Sequence, residues 1–224
     1  MKHLILVGAV GLAIAAGAIT WQMRGGSAPA TDLPLGAANA QEAPEADTSS
    51  IVEMAIGPED ARVTLLEYAS FTCPHCARFH ADQFKQLKAD YIDTGKIRFV
   101  YRDVYFDRFG LWASMVARCG GEQKFFGISN MIYQQQRDWI GAGDDPVQIA
   151  NNLRKIGKVA GLEEDRIEAC LNDEAKAKAL VAWFQENAEE HDISSTPSLV
   201  INGTTYTNMS YDELKGIIDE NLAE

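Results

Sequence analysis

Strand, helix and strand patterns follow one another from Val63 to Tyr101, and strand patterning then stops until Ser198. Val63-Thr64-Leu65-Leu66-Glu67-Tyr68 is a short, mostly apolar run, as expected of a buried strand. Ser70-Phe71-Thr72 breaks it, and Phe79, Phe84, Leu87 and Tyr91 then recur at roughly helical spacing, which predicts a helix from Pro74 to Ile92 ended by Thr94-Gly95. Ile97-Arg98-Phe99-Val100-Tyr101 alternates as a second strand. Two strands joined by a helix make a βαβ unit, whose strands run parallel.

Residues 108–190 read as helices only. Leu111, Trp112, Met115, Val116 and Cys119 form one apolar series. Asp145-Pro146 opens a helix that carries Ile149, Leu153 and Ile156 and stops at Gly161. Ile167, Cys170 and Leu171 mark a further helix, and Leu180, Trp183 and Phe184 another. Strands return with Ser198–Ile201, the hairpin signal Asn202-Gly203, and Thr204–Tyr206. Ser210 and Glu213 are spaced as a capping box, opening a last helix with Leu214, Ile217, Ile218 and Leu222 on one side. The expected architecture is α/β, with residues 51–107 and 191–224 forming one sheet domain and residues 108–190 an inserted all-helical subdomain.

Ahead of this body, Leu4 to Trp21 contains no charged residue and comes after Lys2 and His3. Residues 1–21 therefore read as a signal peptide or as an anchor long enough to span a bilayer, and either would export the body of the chain. Ala38-Asn39-Ala40 and Ala16-Gly17-Ala18 are small-x-small cleavage patterns. Residues 22–50, rich in Gly, Ala, Pro, Ser and Thr, read as a flexible linker. The net charge of −12 disfavours nucleic acid and anionic lipid as partners, leaving the N-terminal segment, if uncleaved, as the membrane contact.

The four cysteines are Cys73, Cys76, Cys119 and Cys170. An even number in an exported chain suggests two pairs. Cys73 and Cys76 fall where the first strand passes into the helix. Free N–H groups and the helix dipole would favour a thiolate at Cys73, and His75 could add positive charge or a hydrogen bond. A stabilised thiolate favours the reduced pair and makes the disulfide more oxidising. Cys73 is the expected exposed nucleophile, and Cys76 its buried partner. A zinc site using Cys73, Cys76 and His80 lacks a fourth ligand motif, since no second Cys-x-x-Cys exists and His191 is the only late histidine. Neither a metal nor another cofactor is expected. Cys119 and Cys170 both sit on apolar helix faces. They are expected to form a structural disulfide in an oxidising compartment, with two buried thiols as the alternative.

The segment Glu67-Tyr68-Ala69-Ser70-Phe71-Thr72-Cys73-Pro74-His75-Cys76 resembles the active-site segment of the DsbA family. These are periplasmic thioredoxin-fold proteins with a helical insertion, and the resemblance covers roughly residues 50–224. It implies a thioredoxin-like fold and oxidation of substrate cysteine pairs through a Cys73–Cys76 disulfide, with Pro74 and His75 between the cysteines. Its substrates would be unfolded or reduced exported proteins, and a membrane thiol oxidase would reset it. It also implies that Glu67 is a buried acid able to relay a proton to or from Cys76. Thr196-Pro197 would supply a cis-proline facing the disulfide, beside which a substrate strand pairs. Thr196 stands where the best-known oxidases carry Val and related isomerases carry Thr, so isomerase or reductase chemistry stays open. So does a metal- or thiol-peptide-binding module without turnover.

Overall fold

The structure is a computed structural model that describes residues 46–141, 143 and 145–224. The segment 1–21 and most of the linker 22–50 lie outside the described residues. Among those described, no helix is long and apolar enough to cross a membrane.

A five-stranded sheet contains β1 (Met54–Ile56), β2 (Val63–Ala69), β3 (Ile97–Asp103), β4 (Ser198–Ile201) and β5 (Thr204–Thr207), in the order β1-β3-β2-β4-β5. The central β2 runs parallel to β3 and antiparallel to β4. Its Val63, Leu65, Glu67, Tyr68 and Ala69 are fully covered, as a strand packed on both faces requires. Edge strand β1 is three residues long, too short to show a period in the sequence. Asn202 and Gly203 both take positive φ, 46° and 85°, which a two-residue hairpin turn between β4 and β5 needs.

The crossover from β2 to β3 is not the single helix expected over Pro74–Ile92. It is α1 (Pro74–Ala81), α2 (Gln83–Leu87) and a π turn at Lys88–Ile92, with Asp82 off helical geometry at φ −113° and ψ −68°. In an unbroken helix Ile92 would sit roughly 220° around the axis from Phe79. The break and the wider turn allow Phe79, Leu87, Tyr91 and Ile92 all to be buried.

Between β3 and β4 come α3 (Arg108–Cys119), α4 (Gly121–Gln134), α5 (Gln136–Ile140), α6 (Pro146–Val159), α7 (Glu164–Leu171) and α8 (Glu174–Glu190). Asp145 caps α6 by accepting from the Val147 and Gln148 N–H groups. Two ties fasten this block. Arg118 of α3 donates through Nε and Nη2 to buried Asp103 at the end of β3, at 2.9 and 2.8 Å, and its Nη1 reaches the Val52 carbonyl. Cys119 of α3 and Cys170 of α7 are bonded, with an S–S distance of 2.10 Å. Ser210 and Glu213 complete the capping box of α9 (Tyr211–Ala223), whose Leu214 and Ile218 are buried. The arrangement is a thioredoxin-like fold with an inserted all-helical subdomain.

Candidate active site

β2 ends at Ala69, and a tight turn closed by the Cys73 N–H on the Ser70 carbonyl (3.0 Å) delivers the chain into α1. Cys73 is the N-cap of α1, Pro74 fills the first turn where no N–H is needed, and Cys76 lies one turn in. Both cysteines are thiols here. Cys76 has no exposure. Cys73, expected to be exposed, retains only 7%. The loop before β4 lies against it, and the Cys73 thiol donates to the Thr196 carbonyl at 3.5 Å. Thr196-Pro197 is a cis peptide, and Pro197 is buried at the head of β4, the strand paired to β2.

The two thiols are driven apart electrostatically. Cys73 is lowered to about 5, chiefly by the hydrogen bond from the Cys76 thiol, with help from the Thr196 side chain and the backbone N–H groups of Cys76 and His75, against the opposing effect of burial. Cys76 is pushed far above the ordinary thiol value by burial first, then by its hydrogen bond to Cys73 and by the charge of Glu67. Of the two effects expected of His75, charge or a hydrogen bond, the hydrogen bond is present, and it comes from the backbone N–H. The exposed ring accepts a hydrogen bond at Nδ1 from Arg78 Nη2 (2.7 Å), because a guanidinium can only donate.

Glu67 reaches the underside of this site from β2 and has no exposure. Its Oε2 is hydrogen-bonded to His80 Nε2 at 2.8 Å, while its buried Oε1 has no partner among the described residues. His80, considered above as a third zinc ligand, thus has that nitrogen on a carboxylate instead.

Two further residues shape the site through partners far away in the sequence. Gln136 of α5 is buried and donates from Nε2 to the Phe71 and Cys73 carbonyls, at 2.8 and 2.9 Å. Asp107 caps α3 through Oδ1 and accepts from the Thr72 hydroxyl on Oδ2 at 2.8 Å. Both tie the turn before Cys73 to the helical block. No local pattern marks a glutamine 63 positions from its partner. The substitution Gln136→Leu removes the donor but little volume. It should cost about 2 kcal/mol in urea unfolding, because the Phe71 carbonyl is left dry and unpaired. Unchanged stability would show that this carbonyl finds another donor.

A family model described as Thioredoxin matches residues 49–220. A Rickettsia bellii protein, provisionally named a protein-disulfide oxidoreductase, is 30% identical over 207 residues, covering 88% of this chain and 77% of that one.

The chain belongs to the thioredoxin family and is a relative of protein-disulfide oxidoreductases.

Disulfide bond formation protein D of Bacillus subtilis, 25% identical, aligns over 75% of this chain and 76% of its own length. Of four further Rickettsia relatives this chain spans 61% to 63%. The crystal structure of Wolbachia pipientis alpha-DsbA1 has the same fold, with a TM-score of 0.71, 24% identity, and coverage of 76% of this chain and 91% of that one. Cys73-Pro74-His75-Cys76 opens the helix after the central strand, with the Cys73 sulfur favoured as thiolate and Cys76 held protonated.

Proposed function

We propose that this chain is a dithiol oxidase of exported proteins, with Cys73 and Cys76 as its redox pair. The observation that carries the reading is the opposite displacement of the two thiols, Cys73 down to about 5 and Cys76 far up. A reduced pair stabilised in this way makes a disulfide that is easily reduced, and so a donor of oxidising equivalents. A substrate thiolate attacks Sγ of Cys73. The Cys73–Cys76 bond breaks, and Cys76 leaves and takes a proton through Glu67. A second substrate thiolate attacks the substrate sulfur of the mixed disulfide and releases Cys73 as a thiolate. The substrate has lost two electrons and the enzyme holds them as a dithiol. A membrane thiol oxidase removes them.

The backbone at Thr196 and Pro197 is the docking edge for the substrate strand, since Pro197 offers no N–H to compete and Thr196 already meets the Cys73 sulfur. In this reading the helical block, residues 108–190, is the inserted domain between the two thioredoxin-like segments, 51–107 and 191–224. The work site is the periplasm, reached by way of residues 1–21, and Cys119–Cys170 is structural. Isomerase chemistry has one feature in its favour, the threonine at position 196 before the cis-proline, where related isomerases carry Thr.

A stoichiometric assay separates the two activities. One equivalent of the oxidised chain should convert a reduced, unfolded two-cysteine protein to its disulfide within minutes at pH 7. The reduced chain should rearrange a scrambled substrate no faster than glutathione does. Rapid rearrangement with poor net oxidation would identify an isomerase.

A further inference from the structure

Cys76 must lose and regain a proton in each cycle, yet it has no exposure to water. Four titratable groups surround it and one another: Glu67 from β2, Tyr101 from β3, Tyr133 from α4, and His80 one turn further along α1. The two phenols are occupied with each other at 2.6 Å, and Tyr101 donates on to the Ala69 carbonyl. Burial holds both well above the ordinary tyrosine value, so neither accepts a proton at neutral pH. Asp103, further along β3, is engaged by Arg118. What remains is the carboxylate–imidazole pair.

His80 is 3% exposed and held on every side. Its ring stacks on Tyr133 with centroids 4.2 Å apart and lies tilted against Phe84 at 4.7 Å, and its Nε2 meets Glu67 Oε2. Residues 76 and 80 share one face of α1 by their spacing, which brings the imidazole and the second thiol to the same side of the helix. One Glu67 oxygen is thereby committed, and the other is buried with no partner among the described residues. A buried carboxylate oxygen left bare is costly unless it has another use.

We infer that His80 is a positioning residue for Cys76: by holding Oε2 of Glu67 it fixes the carboxylate in place and leaves Oε1 to exchange the Cys76 proton. The inference rests on the thiol-exchange reading above. When Cys76 closes onto a mixed disulfide at Cys73, the Cys76 S–H bond breaks and its proton passes to Glu67 Oε1. The sulfur electron pair forms the Cys73–Cys76 bond. The bond from Cys73 to the partner sulfur breaks, and that sulfur leaves with the electron pair and is protonated by water. Without the imidazole, the carboxylate loses the contact that orients it, and the transfer slows.

The test is release of glutathione at pH 7 from the full chain carrying a glutathione mixed disulfide at Cys73. His80→Phe should slow release by at least about tenfold. His80→Gln, which keeps a donor, should restore the rate. In a Glu67→Gln background, His80→Phe should have no further effect, since the two act as one unit. The Cys73 thiolate absorbance should keep its midpoint in all of them. Where Phe does not fold, His80→Leu replaces it. Parent-like release in His80→Phe, failure of folded His80→Gln to restore it, or a second full decrement in Glu67→Gln would each overturn the inference. Absence of release from the parent protein would instead contradict the thiol-exchange reading itself.

Discussion

Cys73→Ser should lower the rate of thiol exchange by at least about a thousandfold, and Cys76 should not take over. At pH 7 a thiol lowered to about 5 is almost wholly thiolate. Cys76 is almost wholly protonated and has no exposure. Nucleophilicity falls somewhat as a thiol becomes more acidic, but a buried, protonated thiol has neither the charge nor the access to react. The pH dependence has the same origin. Alkylation of the reduced chain by iodoacetamide should rise with pH through a midpoint near 5 and then flatten, whereas an ordinary thiol keeps rising to about pH 8.5. Because the folded value lies below the unfolded one, the thiolate stabilises the reduced fold fully above about pH 8.5, and that contribution is lost as the pH falls through about 5. The oxidised form has no such contribution. The melting temperature of the reduced form should therefore gain on that of the oxidised form between those limits. A gap independent of pH, or exchange surviving in Cys73→Ser, would reassign the nucleophile.

Replacing both Cys119 and Cys170 by alanine should destabilise the chain by about 4 kcal/mol in the chain-entropy model, and lower its melting temperature by on the order of 10 °C. The size comes from the sequence separation of 51 residues, which makes the closed loop long. The bond joins α3 to α7 within the helical block, away from the Cys73 turn, so alkylation at Cys73 should keep its midpoint. A melting temperature within a degree or two of the parent would show that the block is already held by packing and by the buried Arg118–Asp103 pair.

The parts of this molecule that are legible in its sequence are those with a local cause. Asn202-Gly203 announces its hairpin because only residues tolerant of positive φ make that turn. Asp145 and Ser210 announce their helices because a cap needs a short side chain with an acceptor. Cys73 and Cys76 stand out because their spacing and their place after a strand suffice to suggest the chemistry. Glu67 is legible only through resemblance: a strand glutamate has no signature of burial until the sheet closes over it. The break at Asp82 is hidden because a helical pattern reads the same straight or kinked, and only the shared burial of Phe79 and Ile92 against the sheet requires the kink. Gln136 and His80 are hidden for a related reason. Their partners come from other elements, so the meaning of each lies in tertiary contact rather than in spacing. The low exposure of Cys73 likewise depends on where the Thr196 loop comes to rest.

A glutathione redox titration of the chain, with each cysteine pair read by alkylation and mass spectrometry, is the most direct test of the oxidase assignment. Cys73–Cys76 should be reduced at a potential more positive than about −200 mV, while Cys119–Cys170 stays oxidised down to about −300 mV. A Cys73–Cys76 potential as negative as about −270 mV, the range of a reducing thioredoxin, would contradict that assignment.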